Sequence, residues 1–115
     1  MDELGMTLFI LFVIAIALFV IVSLWKVYVK AGQPGWGAII PIYNLYLKLL
    51  IAGRPGWWIL LYLIPFVNIV IAIIVEIDIA KNFGKESIFG VGMFFLGFIF
   101  YPILAFGSAE YNKIN

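Results

Sequence analysis

From Leu4 to Trp25 the chain is an almost unbroken apolar run of 22 residues. As a helix it rises about 33 Å, enough to cross a bilayer core of about 30 Å. The rest of the sequence needs the same solvent. Of 115 residues, 66% are hydrophobic and 11% charged, where soluble domains run at about 45–50% and about 25%. A chain this short cannot hide that much apolar surface from water. The sequence therefore predicts a single all-α integral membrane domain over residues 1–115, in contact with membrane lipid. A secretory signal is not expected: Asp2 and Glu3 make the leading end acidic, and Trp25, Lys26, Tyr28 and Lys30 follow as an interfacial anchor.

Two turn-rich stretches, Ala31-Gly-Gln-Pro-Gly-Trp36 and Ala52-Gly-Arg-Pro-Gly-Trp57, and the polar loop Lys81–Ser87 divide the remainder. Four membrane-embedded helices follow, at about 4–29, 37–52, 57–81 and 88–110. The second is short for a span and contains Pro41 and Lys48, so it either crosses or re-enters. Trp25, Trp36, Trp57 and Trp58 all fall at segment ends, as interfacial anchors do. With four spans and the N-terminus outside, Lys26, Lys30, Lys81 and Lys85 lie inside, against Arg54 and Lys113 outside. A re-entrant second segment gives the same four-to-two bias, so counting charges does not choose between the two topologies.

The two Pro-Gly-Trp stretches are an internal repeat, and each is followed by Pro-x-x-Asn: Pro41-Ile-Tyr-Asn44 and Pro65-Phe-Val-Asn68. If both segments cross, the copies run in opposite directions, Pro41 and Pro65 kink their helices, and Asn44 and Asn68 reach the midplane. Inverted repeats with broken helices build midplane sites in many transporters, but the favoured reading is the simpler one, an interfacial turn used twice with asparagines tying helices together. Lys81-Asn-Phe-Gly84 leading to Tyr101-Pro102 is a faint third echo.

This series of motifs, with Ile40-Pro-Ile-Tyr-Asn44, Ala52-Gly-Arg-Pro-Gly-Trp-Trp58, Pro65-Phe-Val-Asn-Ile69, Asp78-Ile-Ala-Lys81 and Phe100-Tyr-Pro-Ile-Leu104, resembles a family of small multi-pass membrane proteins of bacteria and archaea, a domain of unknown function. The likeness covers about residues 25 to 111. It implies a prokaryotic inner-membrane protein and carries no mechanism. Members are often labelled signal peptidase I, and the residues argue against that label. Its chemistry needs a serine with a lysine base of lowered pKa, and Lys26 near Ser23 sits where it stays solvated. Ser23 is expected to bond its own helix backbone.

With no cysteine or histidine and a net charge of +1, no cofactor, metal site or nucleic-acid partner is expected. Lys48 and Glu76 are the most deeply placed ionisable groups. Laid out as antiparallel spans, they fall near opposite interfaces and do not pair. Asp78 is expected to pair with Lys81. Asn68, Ala72, Glu76 and Ala80 form a stripe on one helix face, so Asn44, Asn68 and Glu76 are the candidate polar seam. Gly90, Gly97, Ala105 and Ala109 mark the candidate helix-packing or oligomer surface. The expected function is structural: a self-assembling homo-oligomer, or an accessory subunit of a larger membrane complex, without enzymatic activity. The alternative is an oligomeric channel or carrier using the polar seam.

Overall fold

The computed structural model describes residues 2–113, all helical or loop, with no strand among them. Its first element, α1 (Glu3–Lys30), is the one helix among the described residues that is long and apolar enough to cross a membrane. Asp2 caps it, its side chain accepting from the Gly5 N–H. Four shorter α-helices follow: α2 (Pro41–Ala52), α3 (Val67–Asn82), α4 (Ser87–Phe95) and α5 (Gly97–Phe106). Two 3-10 segments, Gly35–Ile39 and Gly56–Leu63, precede α2 and α3.

These elements form three helical hairpins. In each, a limb leads away from a loop, turns, and a second limb returns: Gly35–Ile39 with α2, Gly56–Leu63 with α3, and α4 with α5. The ends of α1, α2, α3 and α5 consequently gather at one end of the molecule. Lys30 Nζ donates to the carbonyls of Leu104, Gly107 and Ala109, at 2.5, 3.1 and 3.1 Å. Asn82 Nδ2 and the Tyr111 hydroxyl both donate to the Ile51 carbonyl. The Asn112 N–H donates to the carbonyl of Asn82.

The loop-end turns are built alike. Helices α1, α2 and α3 close with Gly32, Gly53 and Gly84, at φ of +78°, +82° and +78°. In each the glycine N–H bonds three residues back and the next N–H five back, as in Gly53 to Leu50 and Arg54 to Leu49. That is the Schellman cap. Its left-handed residue is why glycine recurs in the repeat. Pro34 and Pro55 then start the 3-10 limbs from extended backbone.

The opposite turns are alike too. A residue before proline is pushed out of helical backbone, and Ile40 and Ile64 are accordingly extended, at ψ of 113° and 118°. Each carbonyl then accepts from the asparagine four residues on, Asn44 at 2.7 Å and Asn68 at 2.9 Å. Proline thus begins a returning helix instead of kinking a continuous one. Pro41 is the first residue of α2, where its missing N–H costs nothing, and Pro65 lies in the turn before α3. Leu96 serves the third hairpin, its carbonyl accepting from Phe100. The third copy therefore turns at Leu96-Gly97, while Pro102 lies inside α5.

Three expectations change with this topology. The helices expected over 37–52 and 57–81, with kinks at Pro41 and Pro65, and over 88–110 are each interrupted, at Ile40, Ile64–Phe66 and Leu96. The last helix ends at Phe106, leaving Ala109 beyond it. The repeat copies run in the same direction, not opposite ones.

Candidate functional site

The buried core includes Val27, Tyr28, Leu47, Leu49, Ile51, Val75, Ile79, Met93, Tyr101 and Leu104, near the loop end. Within it lies a polar cluster. Lys48 Nζ donates to Glu76 Oε1 at 2.8 Å. The Tyr101 hydroxyl donates to Glu76 Oε2. The Lys48 ammonium also stands 5.2 Å from the centre of the Tyr101 ring, a cation–π contact. Tyr28 and Tyr62 lie within electrostatic range of the same carboxylate, and the Tyr28 hydroxyl donates to Asn44 Oδ1.

The Lys48–Glu76 pair corrects the expectation that these two residues sit near opposite interfaces. Because α2 and α3 both return toward the loop end, they run side by side in the same direction. Lys48 stands four residues before the end of α2 and Glu76 six before the end of α3. At 1.5 Å per residue the two levels differ by only about 3 Å. The same parallel course pairs Asp78 with Arg54, 2.6 Å away, in place of Lys81. That hydrogen bond holds the Arg54 guanidinium above its usual value, and Arg54 packs 4.8 Å over the Trp58 ring.

A cleft of about 310 Å³ opens above the pair, lined by Val20, Leu24, Ala72, Met93, Phe94 and Phe98 with Lys48, Glu76, Gly97 and Tyr101. The stripe on α3 points inward, Glu76 and Ala80 being buried and Asn68 and Ala72 half-buried. The three seam residues do not meet. Glu76 joins Lys48 and Tyr101, and Asn44 joins Tyr28. Asn68 stands two turns nearer the hairpin tips, with no side-chain hydrogen bond among the described residues.

The packing residues divide similarly. Gly90 is buried against α3, where a Cβ would lie 2.4 Å from Ile77 Cα. Gly97 opens α5 beside the cleft. Ala105 is buried in the core, and the carbonyl of Ala109 holds Lys30. Trp36 and Trp57 are exposed, Trp58 is half-buried, and the Trp25 indole lies across Gly35 so closely that a Cβ there would collide with it. All four indoles flank loop-end turns. The Ser23 hydroxyl donates to the Phe19 carbonyl at 2.8 Å.

Tyr28, expected as part of an interfacial anchor, is instead fully buried, and Tyr101 was not among the sequence candidates. Their signal was present: a tyrosine inside an apolar segment must find a partner for its hydroxyl. No buried side-chain nitrogen or oxygen among the described residues lacks a partner. The arrangement is a satisfied ionic knot with an apolar cleft over it.

Residues 36–113 match a family of unknown function, DUF5684, and the chain belongs to that family. Neither a curated protein nor a solved structure matches it.

Proposed function

We propose that this member of DUF5684 is a structural membrane protein, anchored by α1 as its single crossing, with three hairpins entering one leaflet from the loop end. It acts by self-assembly or as an accessory subunit rather than by catalysis or transport. The observation that carries this reading is that two of the three seam residues are engaged inside the chain. Glu76 is engaged by Lys48 and Tyr101, Asn44 by Tyr28, and all of them sit in the half of the molecule near the loops. Beyond the hairpin tips only α1 continues, and one helix encloses no path.

Charge placement supports the same topology and gives it a direction. Lys26, Lys30, Arg54, Lys81, Lys85 and Lys113 all belong to the loop end, and Asp2 and Glu3 to the other. The four-to-two bias of crossing topologies becomes six to none, which favours loops in the cytoplasm and the N-terminus outside. Single cysteines at Asp2, Gln33, Arg54 and Lys85 test this in a chain with no native cysteine. The last three should label from the cytoplasmic face and the first from outside; an Arg54 site labelling from outside would restore the crossing second helix.

The cleft beside Glu76 is the observation favouring the alternative, an oligomeric channel or carrier. Liposome flux of wild type, Asn68→Leu and Glu76→Gln separates the two. Flux that appears in wild type and is lost in either variant would establish transport and overturn the structural reading. Cross-linking in native membranes then reports whether the protein stands as a homo-oligomer or beside another subunit.

A further inference from the structure

We propose that the chain is a membrane wedge that prefers curved bilayers, gathering where the leaflet holding its loops is convex. This rests on the placement proposed above and goes beyond it to an activity. The wedge shape follows from how far each element extends. Every residue from Glu3 to Phe19 is exposed except half-buried Gly5, and Phe19 stacks on Phe106, so about 24 Å of α1, from Glu3 to Leu18, stands clear of the bundle at 1.5 Å per residue. The returning helices α2, α3 and α5 have 12, 16 and 10 residues, or about 18, 24 and 15 Å. Without the polar last turn of α3, residues 78–82, all three rise about 15–18 Å, which reaches through roughly one leaflet of a core about 30 Å thick. One half of the bilayer therefore holds the whole bundle, in a molecule measuring 51 × 36 × 26 Å. The other half holds one helix about 10–12 Å across.

Acyl chains of the opposite leaflet are the occupant that fits the space beside α1. The hairpin tips are apolar and open, with Leu63 75%, Phe66 84% and Phe95 66% exposed. Association of helices within lipid draws on small-xxx-small faces or polar side chains. Between Leu4 and Phe19 no two small residues stand four apart, and the one hydroxyl there, Thr7, already donates to the Glu3 carbonyl. That stretch of α1 is apolar around its circumference, a surface for lipid tails. The cations at the broad end hold it at anionic headgroups. Each copy then displaces more lipid from one leaflet than from the other, and that mismatch is relieved where the loop-side leaflet is stretched.

The test uses full-length protein carrying a fluorophore on Asp2→Cys, in giant vesicles of phosphatidylcholine and phosphatidylglycerol from which membrane tethers are pulled. A membrane-impermeant quencher identifies the copies whose narrow end faces outward. Copies with the broad end outside should be enriched several-fold in the tether over the flat membrane, and copies of the opposite orientation depleted. Equal density in tether and vesicle for both orientations, with Gln33, Arg54 and Lys85 all labelling from one face, overturns the wedge and leaves the topology standing. Labelling of Arg54 or of Lys85 from the face opposite Gln33 overturns both.

Discussion

Lys48 Nζ lies 2.8 Å from Glu76 Oε1, joining two helices that a simple serpentine reading of the sequence would send in opposite directions. Both side chains are largely buried, at 19% and 7% exposure, so each charge depends on the other. Removing one partner of such a pair costs about 3–5 kcal/mol, because it strands the second charge. Lys48→Met should destabilise by an amount of this order. Glu76→Gln should cost less, since the lysine stem can carry its ammonium toward the loop end. Joining the two substitutions should recover most of the loss, because the glutamine oxygen still accepts from Tyr101. Unfolding midpoints of the four proteins in mixed detergent check this, and strictly additive losses would count against the pair.

Gly90 and Gly32 should fail for different reasons. At Gly90 the backbone of Ile77 occupies the space a Cβ needs, so Gly90→Ala must push α4 off α3, at about 1–3 kcal/mol. At Gly32 nothing lies within 4 Å and the difficulty is its φ of +78°. Gly32→Ala should lose about 1–2 kcal/mol, whereas Gly32→Asn should be tolerated, asparagine being the other residue that enters left-handed backbone. Gly90→Asn should be the worst of the set. Thermal stability of the purified variants gives the ranking.

Phe66 is the one non-glycine at positive φ among the described residues, with φ 67° and ψ −44°. The Val67 N–H donates to the Pro65 carbonyl at 2.8 Å across it, forming a classic γ-turn, which is rare and strained. Strained residues of this kind cost about 1–3 kcal/mol. The Phe66 ring is almost wholly exposed and contributes little packing inside the chain. Phe66→Gly should therefore raise the unfolding midpoint, and a lowered one would mean the ring matters more than the turn.

Tyr111 fastens the tail to the body. Its hydroxyl donates to the Ile51 carbonyl at 2.8 Å and its ring packs edge-on to Phe83. Burial pushes its pKa above the ordinary tyrosine value. A group raised in the folded state contributes stability below its unfolded pKa and loses it as pH rises through the folded one. The fastening should therefore be intact at neutral pH and release in the alkaline range. Limited proteolysis of the tail should rise with pH in wild type and be high at every pH in Tyr111→Ala.

The sequence by itself determined the segment breaks and the recurrence of one turn, and its continuous apolar stretches predict lipid as the solvent. Gly53 followed by Arg54-Pro55-Gly56 can hardly remain helical, and the same chemistry stands at Gly32. The inward face of α3 was legible too, from small and polar residues four apart. What only the tertiary structure decided was direction. Proline removes one donor and pushes its predecessor out of helical backbone whether the chain then bends onward or doubles back, so Pro41 and Pro65 are compatible locally with a kink or a reversal. The choice is made by contacts distant in sequence: α2 beside α3, Lys30 on the last turn of α5, and Asn82 and Tyr111 on Ile51. Once the chain doubles back, Lys48 comes level with Glu76 and the Arg54 side chain within reach of Asp78. No spacing along the sequence encodes that register.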